Sequence, residues 1–438
     1  VGRINYGLMD RYLLTASLRY DGSSRLSEGN KWALFPSAAI AWRITEEDFA
    51  KNLDWLSNLK LRFSYGQAGN TNSVSPYASE GTISGSVYYP FGTSTSVGNL
   101  PANIANPMLT WERTSEYNVG LDFGFLNQRI SGNIEYYNRT TNDLLMKRNI
   151  PVHLGYSSVT SNVGSVRNSG FELQLNTANI MTKNFAWNTT INLAYNKNEI
   201  VSLADEEDLS NYSIHLQGMR GRYSDKRFIG KPVDTNWTQN TIGVWQLGEE
   251  EEAAKYGCVP GNFKIKDYNN DGKLTDDDYI IDGKRTPDWT GGMTNMFKIY
   301  DFDFSFHMYF QAGATQYDRF FENFALEWNS QNFNNLRTNY WTPENPSNTM
   351  GRPSQMGSRG NIAYERTDFL KVSYITLGYT LNKRLMSKWG LDNARIYVTV
   401  QNPFILTKFR GLDPEQPDLT NIGDTDGMTM NALLGVNI

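Results

Sequence analysis

Asp267, Asn269, Asp271, Gly272, Lys273, Thr275 and Asp278 lie in the stretch DYNNDGKLTDDD at the spacing D-x-N-x-D-G-x-L-x-x-x-D. That is the spacing of a calcium loop. Side-chain oxygens at positions 1, 3 and 5, a carbonyl at position 7 and a carboxylate at position 12 surround a hard cation, and the glycine permits the sharp turn. Leu274 is expected to pin the loop to apolar surroundings. Position 12 is Asp278 rather than glutamate, a shorter arm that binds through one oxygen and so favours weaker Ca2+ or tolerates Mg2+. The other reading of these residues is an acidic, glycine-containing turn without metal. With an ion bound, the loop reads as a structural stiffener, because no nucleophile–base pair accompanies it.

Few other residues could do chemistry. His153, His215 and His307 are far apart and show no metal-ligand spacing. Cys258 is the single cysteine, so no internal disulfide exists. No G-x-S-x-G stretch marks a nucleophile, which argues against an enzyme. Net charge is -5 with no basic patch, which argues against nucleic acid. Glu249–Glu252 read as a solvated helix start. Trp237, Trp245, Trp328, Trp341, Tyr88 and Tyr89 fall in polar connections, where they either stack on sugars, meet a partner or pack the loops.

The elements that must carry these residues are strands. In YLLTASLRYD (12–21), Tyr12, Leu14, Ala16, Leu18 and Tyr20 alternate with Leu13, Thr15, Ser17, Arg19 and Asp21. Successive strand side chains point to opposite sides, so one face is apolar and the other mostly polar. Aliphatics between terminal aromatics suit a membrane strand with interfacial girdles, and its ten residues match the roughly 9–11 needed to cross. Mean hydropathy is -0.52, and no apolar run approaches the ~20 residues of a membrane helix. Both fit a barrel, since only half of each strand meets lipid.

The same pattern predicts thirteen strands, near 2–9, 12–21, 33–44, 59–67, 114–125, 129–139, 170–177, 185–197, 289–300, 302–312, 367–381, 393–402 and 428–438. Pro36 predicts a bulge or a local break in the third. TEEDFAKNLDWLSN (45–58) predicts a short helix capped by Thr45 with Glu47 in its first turn. Connections alternate short and long, as periplasmic turns and extracellular loops do. The longest, 198–288, holds the 267–278 loop. Arg19, Arg62, Glu135, Glu172 and Gln174 fall on inward faces and are expected to form charge ladders that hold a plug. An odd number of strands does not close an antiparallel barrel, so either further strands precede these or the chain pairs with another.

Eight stretches carry a family resemblance: GRINYGLMDRYLLTASLRYDGSSRL (2–26), FPSAAIAWRITEEDF (35–49), LKLRFSYGQAGN (59–70), WERTSEYNVGLDFGF (111–125), SGFELQLN (169–176), KDYNNDGKLTDDDYIIDGKRTPDWTGGMTN (266–295), FLKVSYITLGYTL (369–381) and QNPFILTKFRGLDPE (401–415). Together they resemble the C-terminal part of a SusC/RagA-type TonB-dependent outer-membrane transporter of Bacteroidetes. The resemblance implies an all-β fold, an antiparallel transmembrane barrel of about 22 strands of which this chain supplies thirteen. It implies that about nine strands, a plug domain and a TonB box precede Val1, and that a residue or two follow Ile438. It implies active import of nutrient oligomers, mostly glycans and sometimes peptides, across the outer membrane of a Gram-negative bacterium. The implied partners are a SusD-like surface lipoprotein lid, the TonB complex and a second barrel–lipoprotein pair. A barrel that serves as adhesin or scaffold without transport is the alternative.

Overall fold

The computed structural model describes residues 1–150, 156, 158–203, 210–211, 220–222, 227–326, 338–353, 358–382, 386, 388, 390–391, 394–417 and 431–437. Its main body is one antiparallel sheet of thirteen strands in sequence order. These are β1 (Gly2–Leu8), β2 (Tyr12–Gly22), β3 (Trp32–Arg43), β4 (Leu56–Asn70), β5 (Glu112–Phe125), β6 (Ile130–Asn142) and β7 (Ser165–Met181), then β8 (Phe185–Ser202), β9 (Trp289–Ile299), β10 (Phe302–Ala312), β11 (Phe369–Thr380), β12 (Arg395–Thr407) and β13 (Asn431–Asn437).

Register keeps every apolar set on one side. Leu61 pairs with Leu121, Leu121 with Ile134, Ile134 with Leu173 and Leu173 with Leu193, a row of aliphatics across five strands. Side chains of this face stay open: Ile134 is 46% exposed. Aromatics gather towards its two ends. Near the short turns, Trp55 stacks on Phe125 at 5.8 Å, Trp187 on Phe297 at 5.6 Å, and Phe302 meets Tyr379 at 4.7 Å. Towards the long loops, Tyr20 stacks on Trp32 at 5.1 Å, Tyr65 meets Tyr117 at 4.8 Å, and Tyr195 meets Trp289 at 4.8 Å. An aliphatic belt between two aromatic girdles is the surface lipid selects.

The opposite face is polar and paired. Arg62 clamps Asp122 with bonds of 2.7–3.1 Å and reaches Glu135 at 2.8 Å, while Lys60 meets Asp122 at 3.2 Å. Arg19 pairs with Asp21 at 2.6 Å, and Arg395 with Asp303 at 2.8 Å. Glu172 and Gln174 line a recess beside His307 and Tyr309.

One expectation is corrected, one is met in part, and one element was not foreseen. No helix occupies 45–58: a single 3-10 turn, Ile44–Glu46, is followed by turns, and β4 already begins at Leu56. Glu47 is drawn out of a helical first turn by the Tyr12 hydroxyl at 2.7 Å, the Trp42 indole at 2.9 Å and Arg11 at 3.0 Å. Thr45 therefore caps nothing. At Pro36 the second of the two expected outcomes is found, a local break: Pro36 pairs with Leu18 in unbroken register, but pairing of β3 with β4 stops at the next residue, Ser37, opposite Gly66. A proline with one ladder neighbour costs the sheet little. Third, the polar connection after β4 contains a hairpin, Thr82–Phe91 with Ser94–Asn103. It belongs to a run of 31 residues, 81–111, without one charged side chain.

β7 and β8 run to 17 and 18 residues, well past the roughly 9–11 of a membrane crossing. Their excess stands beyond the bilayer at the long-loop end. The apolar row makes a direct prediction. Ile134→Arg places a charge at mid-depth and should cost about 2–4 kcal/mol. Urea unfolding in lipid vesicles, read by heat-modifiable gel mobility, is the measurement.

Candidate functional site at the long-loop end

The described parts of the connections 227–288 and 313–368 fold against each other into one packed body. Short ladders set its frame: Thr235–Gln239 with Tyr279–Lys284, Thr241–Val244 with Phe263–Ile265, and Thr315–Tyr317 with Tyr364–Arg366. One core unites both connections: Val244, Phe263 and Ile265 from the first meet Phe321, Trp341 and Met350 from the second. Asparagines tie the two. Asn348 accepts from the Val244 N–H at 2.9 Å and Asn361 from the Thr241 N–H at 3.0 Å, so side chains complete a strand edge that lacks a neighbour. The expected helix start is α1 (Glu250–Lys255). Three glutamates in its first turn and a lysine in its last complement the helix dipole.

The acidic loop hangs from this core by Leu274, as its sequence implies. Asp267 is buried and accepts from the N–H of Asn270 at 2.6 Å, the N–H of Gly272 at 3.0 Å and the Tyr256 hydroxyl at 3.1 Å. Burial works against its charge, yet these donors outweigh it and hold the carboxyl below the usual range. Asn269 donates to Asp271 at 3.1 Å, and Asp271 accepts from the Lys273 N–H at 2.8 Å. Asp278 is fully buried and accepts from the N–H groups of Tyr268 and Thr275, both at 2.8 Å. Thr275 forms a capping box with Asp278. Asn270 and Gly272 take φ of 56° and 77°, the left-handed turn this spacing requires. The side chains of this loop present oxygens, the donor type of hard cations, and those of Asp267 and Asp278 are engaged by N–H and O–H donors. Among the described residues, no three His, Cys, Asp or Glu side chains are drawn together as a metal cage.

The aromatic candidates separate. Trp237, Trp245 and Trp341 are each no more than 6% exposed. Trp237 packs on Phe228 at 4.7 Å, Trp245 lies 4.1 Å beneath the Lys264 ammonium, and Trp341 donates to Gln246 at 2.9 Å. Their faces are used in packing, the last of the three roles their sequence positions allowed, and they offer no free surface to a sugar. Tyr88 and Tyr89 stand exposed on the uncharged hairpin. Trp328, His153 and His215 lie outside the described residues. His307 faces inward, bonded to Thr294 at 2.9 Å and stacked on Tyr374. The Cys258 thiol donates to the Tyr256 carbonyl at 3.6 Å, and burial pushes its pKa up, away from reactivity.

Asp318 escapes sequence reading. It is fully buried between the 313–326 and 363–367 segments, and one oxygen accepts from the Phe321 N–H at 2.9 Å. The other has no hydrogen-bond partner among the described residues. Burial, with the nearby charge of Glu365 adding to it and Arg410 opposing it, pushes the carboxyl up to about 6. The one signal available was an aspartate before RFF, a cap position.

Comparison with known proteins follows from this geometry. The TonB dependent receptor-like β-barrel family matches residues 2–290. The chain is 35% identical over 426 residues to TonB-dependent receptor SusC of Bacteroides thetaiotaomicron, covering 94% of this chain and 41% of that protein. It is 34% identical over 422 residues to TonB-dependent receptor P26 of Formosa agariphila, covering 94% of this chain and 42% of that one. The solved RagAB peptide transporter superposes with a TM-score of 0.75 at 25% identity, over 94% of this chain and 44% of that chain. The chain thus spans about two-fifths of the length of these relatives.

The raised carboxyl of Asp318 predicts a pH dependence. Its folded value lies above the ordinary 3.8, so its contribution to stability is complete below 3.8 and is lost as pH rises through about 6. Asp318→Asn keeps the cap and removes the charge. Relative to wild type it should gain up to about 3 kcal/mol between pH 4 and pH 8. Tryptophan-fluorescence melts across that range test it.

Proposed function

Because this chain belongs to the TonB-dependent receptor-like β-barrel family of the outer membrane, we propose that it forms most of the wall of a transporter that imports nutrient oligomers. The cargo is an oligosaccharide or an oligopeptide. It enters between the extracellular loops and a SusD-like surface lipoprotein that closes over them. The TonB complex, acting on a plug, supplies the energy. Barrel and lipoprotein work as a pair, and two pairs associate. The protein has no catalytic step of its own.

The observation that carries this reading is the two-faced wall. Its outer side is an aliphatic belt between aromatic girdles, and its inner side is lined with paired charges and hydroxyls. Such a wall encloses polar content. The extracellular connections, packed into a core of their own, give a lid a firm rim. An adhesin needs such loops but not the inner lining.

A strain lacking the gene should lose growth on its cargo as sole nutrient, and a strain lacking TonB should lose it equally. Unchanged growth together with lost surface attachment supports the adhesin instead.

The 267–278 loop is read as the site of a structural Ca2+, with Mg2+ as substitute. The all-oxygen donor set and the anchoring Leu274 support this. Calcium should raise the melting temperature of the extracellular body by several degrees over a chelated sample. Asp271→Ala should make the melt indifferent to calcium.

A further inference from the structure

The upper ends of β6, β7 and β8 enclose, with two loop segments, a cavity of 340 Å³. Thr141, Val166 and Ile200 form its wall. Thr141 pairs with Val166 and Val166 with Ile200. These positions share the parity of Tyr137 and Asn196, whose 2.9 Å bond lies on the inward face. The cavity therefore belongs to the lumen, at its extracellular mouth. Leu145 and Met146 close one side. Arg227 and Val233 close the other, on a segment tied to β8 by bonds from Gly230 N–H to Ile200 O at 2.8 Å and from Ile200 N–H to Lys231 O at 2.9 Å.

Two features define what fits. The wall's hydroxyls are already used: Thr141 is bonded to Thr114 at 2.9 Å, and Ser202 to Ser165 at 2.8 Å. A sugar ring placed here would leave its own hydroxyls unpaired, at a cost for each. Arg227, by contrast, is under-used. Its guanidinium donates to the Met146 sulfur at 3.8 Å, a weak acceptor, and no carboxylate of the described residues pairs with it. A guanidinium at the rim of an apolar cavity is a fork for a carboxylate.

We propose that this cavity is a cargo subsite for an apolar group next to a carboxylate, the chemistry of an oligopeptide's C-terminal residue. The apolar side chain lies among Leu145, Val166 and Ile200, and the α-carboxylate sits on Arg227. The volume is near the lower end of the roughly 300–1,000 Å³ of small-ligand sites, room for a terminal residue and not for a chain. Thr141 also borders a polar recess of 810 Å³. Ser64, Gln67 and Asn168 offer that recess hydrogen bonds for a peptide backbone. The proposal rests on the import reading and narrows its cargo.

The test uses the full-length protein purified in detergent and labelled pentapeptides ending in leucine, as free acid and as amide, with maltoheptaose for comparison. The free acid should bind about tenfold more tightly than the amide. Arg227→Gln should erase that difference. Val233→Trp, which fills the cavity, should erase the preference for leucine over serine at the last position. Arg227→Gln keeps the test independent of whether the filled cavity folds. Equal binding of acid and amide by wild type overturns the subsite, as does maltoheptaose binding that Val233→Trp weakens. TonB-dependent uptake measured in cells separates the two readings. An acid–amide difference without uptake upholds the subsite and removes import, and uptake without the difference does the reverse.

Discussion

In hydrocarbon, no water is present to satisfy a backbone amide, and each unpaired one costs several kcal/mol. The main sheet of this chain answers to that constraint. It forces thirteen strands into one continuous ladder in chain order. It confines Pro36 to a position with one ladder neighbour. It makes the short turns tight, with Met9 and Asp10 at φ of 54° each. It also requires partners for the outer edges of β1 and β13, which in the longer relatives the remaining barrel can supply. With the backbone committed, side chains are free to make one face greasy and the other charged.

Beyond the bilayer the constraint relaxes, and a different physics takes over. The described parts of the 227–288 and 313–368 connections bury a real apolar core, with Val244 2% and Phe263 2% exposed. Barrel strands bury little by comparison, because their outer residues trade water for lipid rather than for protein. The chain therefore carries two kinds of stability: a ladder held by register, and an extracellular body held by packing. Asp318 and the acidic loop both belong to the second kind. Each carries buried charge that packing holds in place.

Period-two patterning is a local property, and so the strands could be read from sequence, with errors of a few residues at their ends. The inward Arg62 and Glu135 could be assigned to one face from alternation, though not joined, since 73 residues separate them. The acidic loop was legible because its contacts are local. The false helix at 45–58 came from local propensity, and Glu47 was claimed by residues 35 and 36 positions earlier. The role of the tryptophans stayed open for the same reason: exposure is a tertiary property, and Trp341 is buried in a core with Val244 and Phe263 and bonded to a glutamine 95 residues away. The cavity beside Arg227 joins β6, β7, β8 and two loops, and no spacing announces it.

The uncharged hairpin between β4 and β5 has a consequence for survival outside the cell. Proteases of the trypsin type cut after lysine or arginine. From Arg62 to Arg113 the sequence offers them neither residue. Both flanking arginines are held in strands of the main sheet, Arg62 paired with Gly120 and Arg113 with Gly69. A cleaving enzyme needs an extended, unpaired segment, and the whole excursion presents no such bond. Its aromatic tip can stand in the open among secreted digestive enzymes of that class and remain uncut.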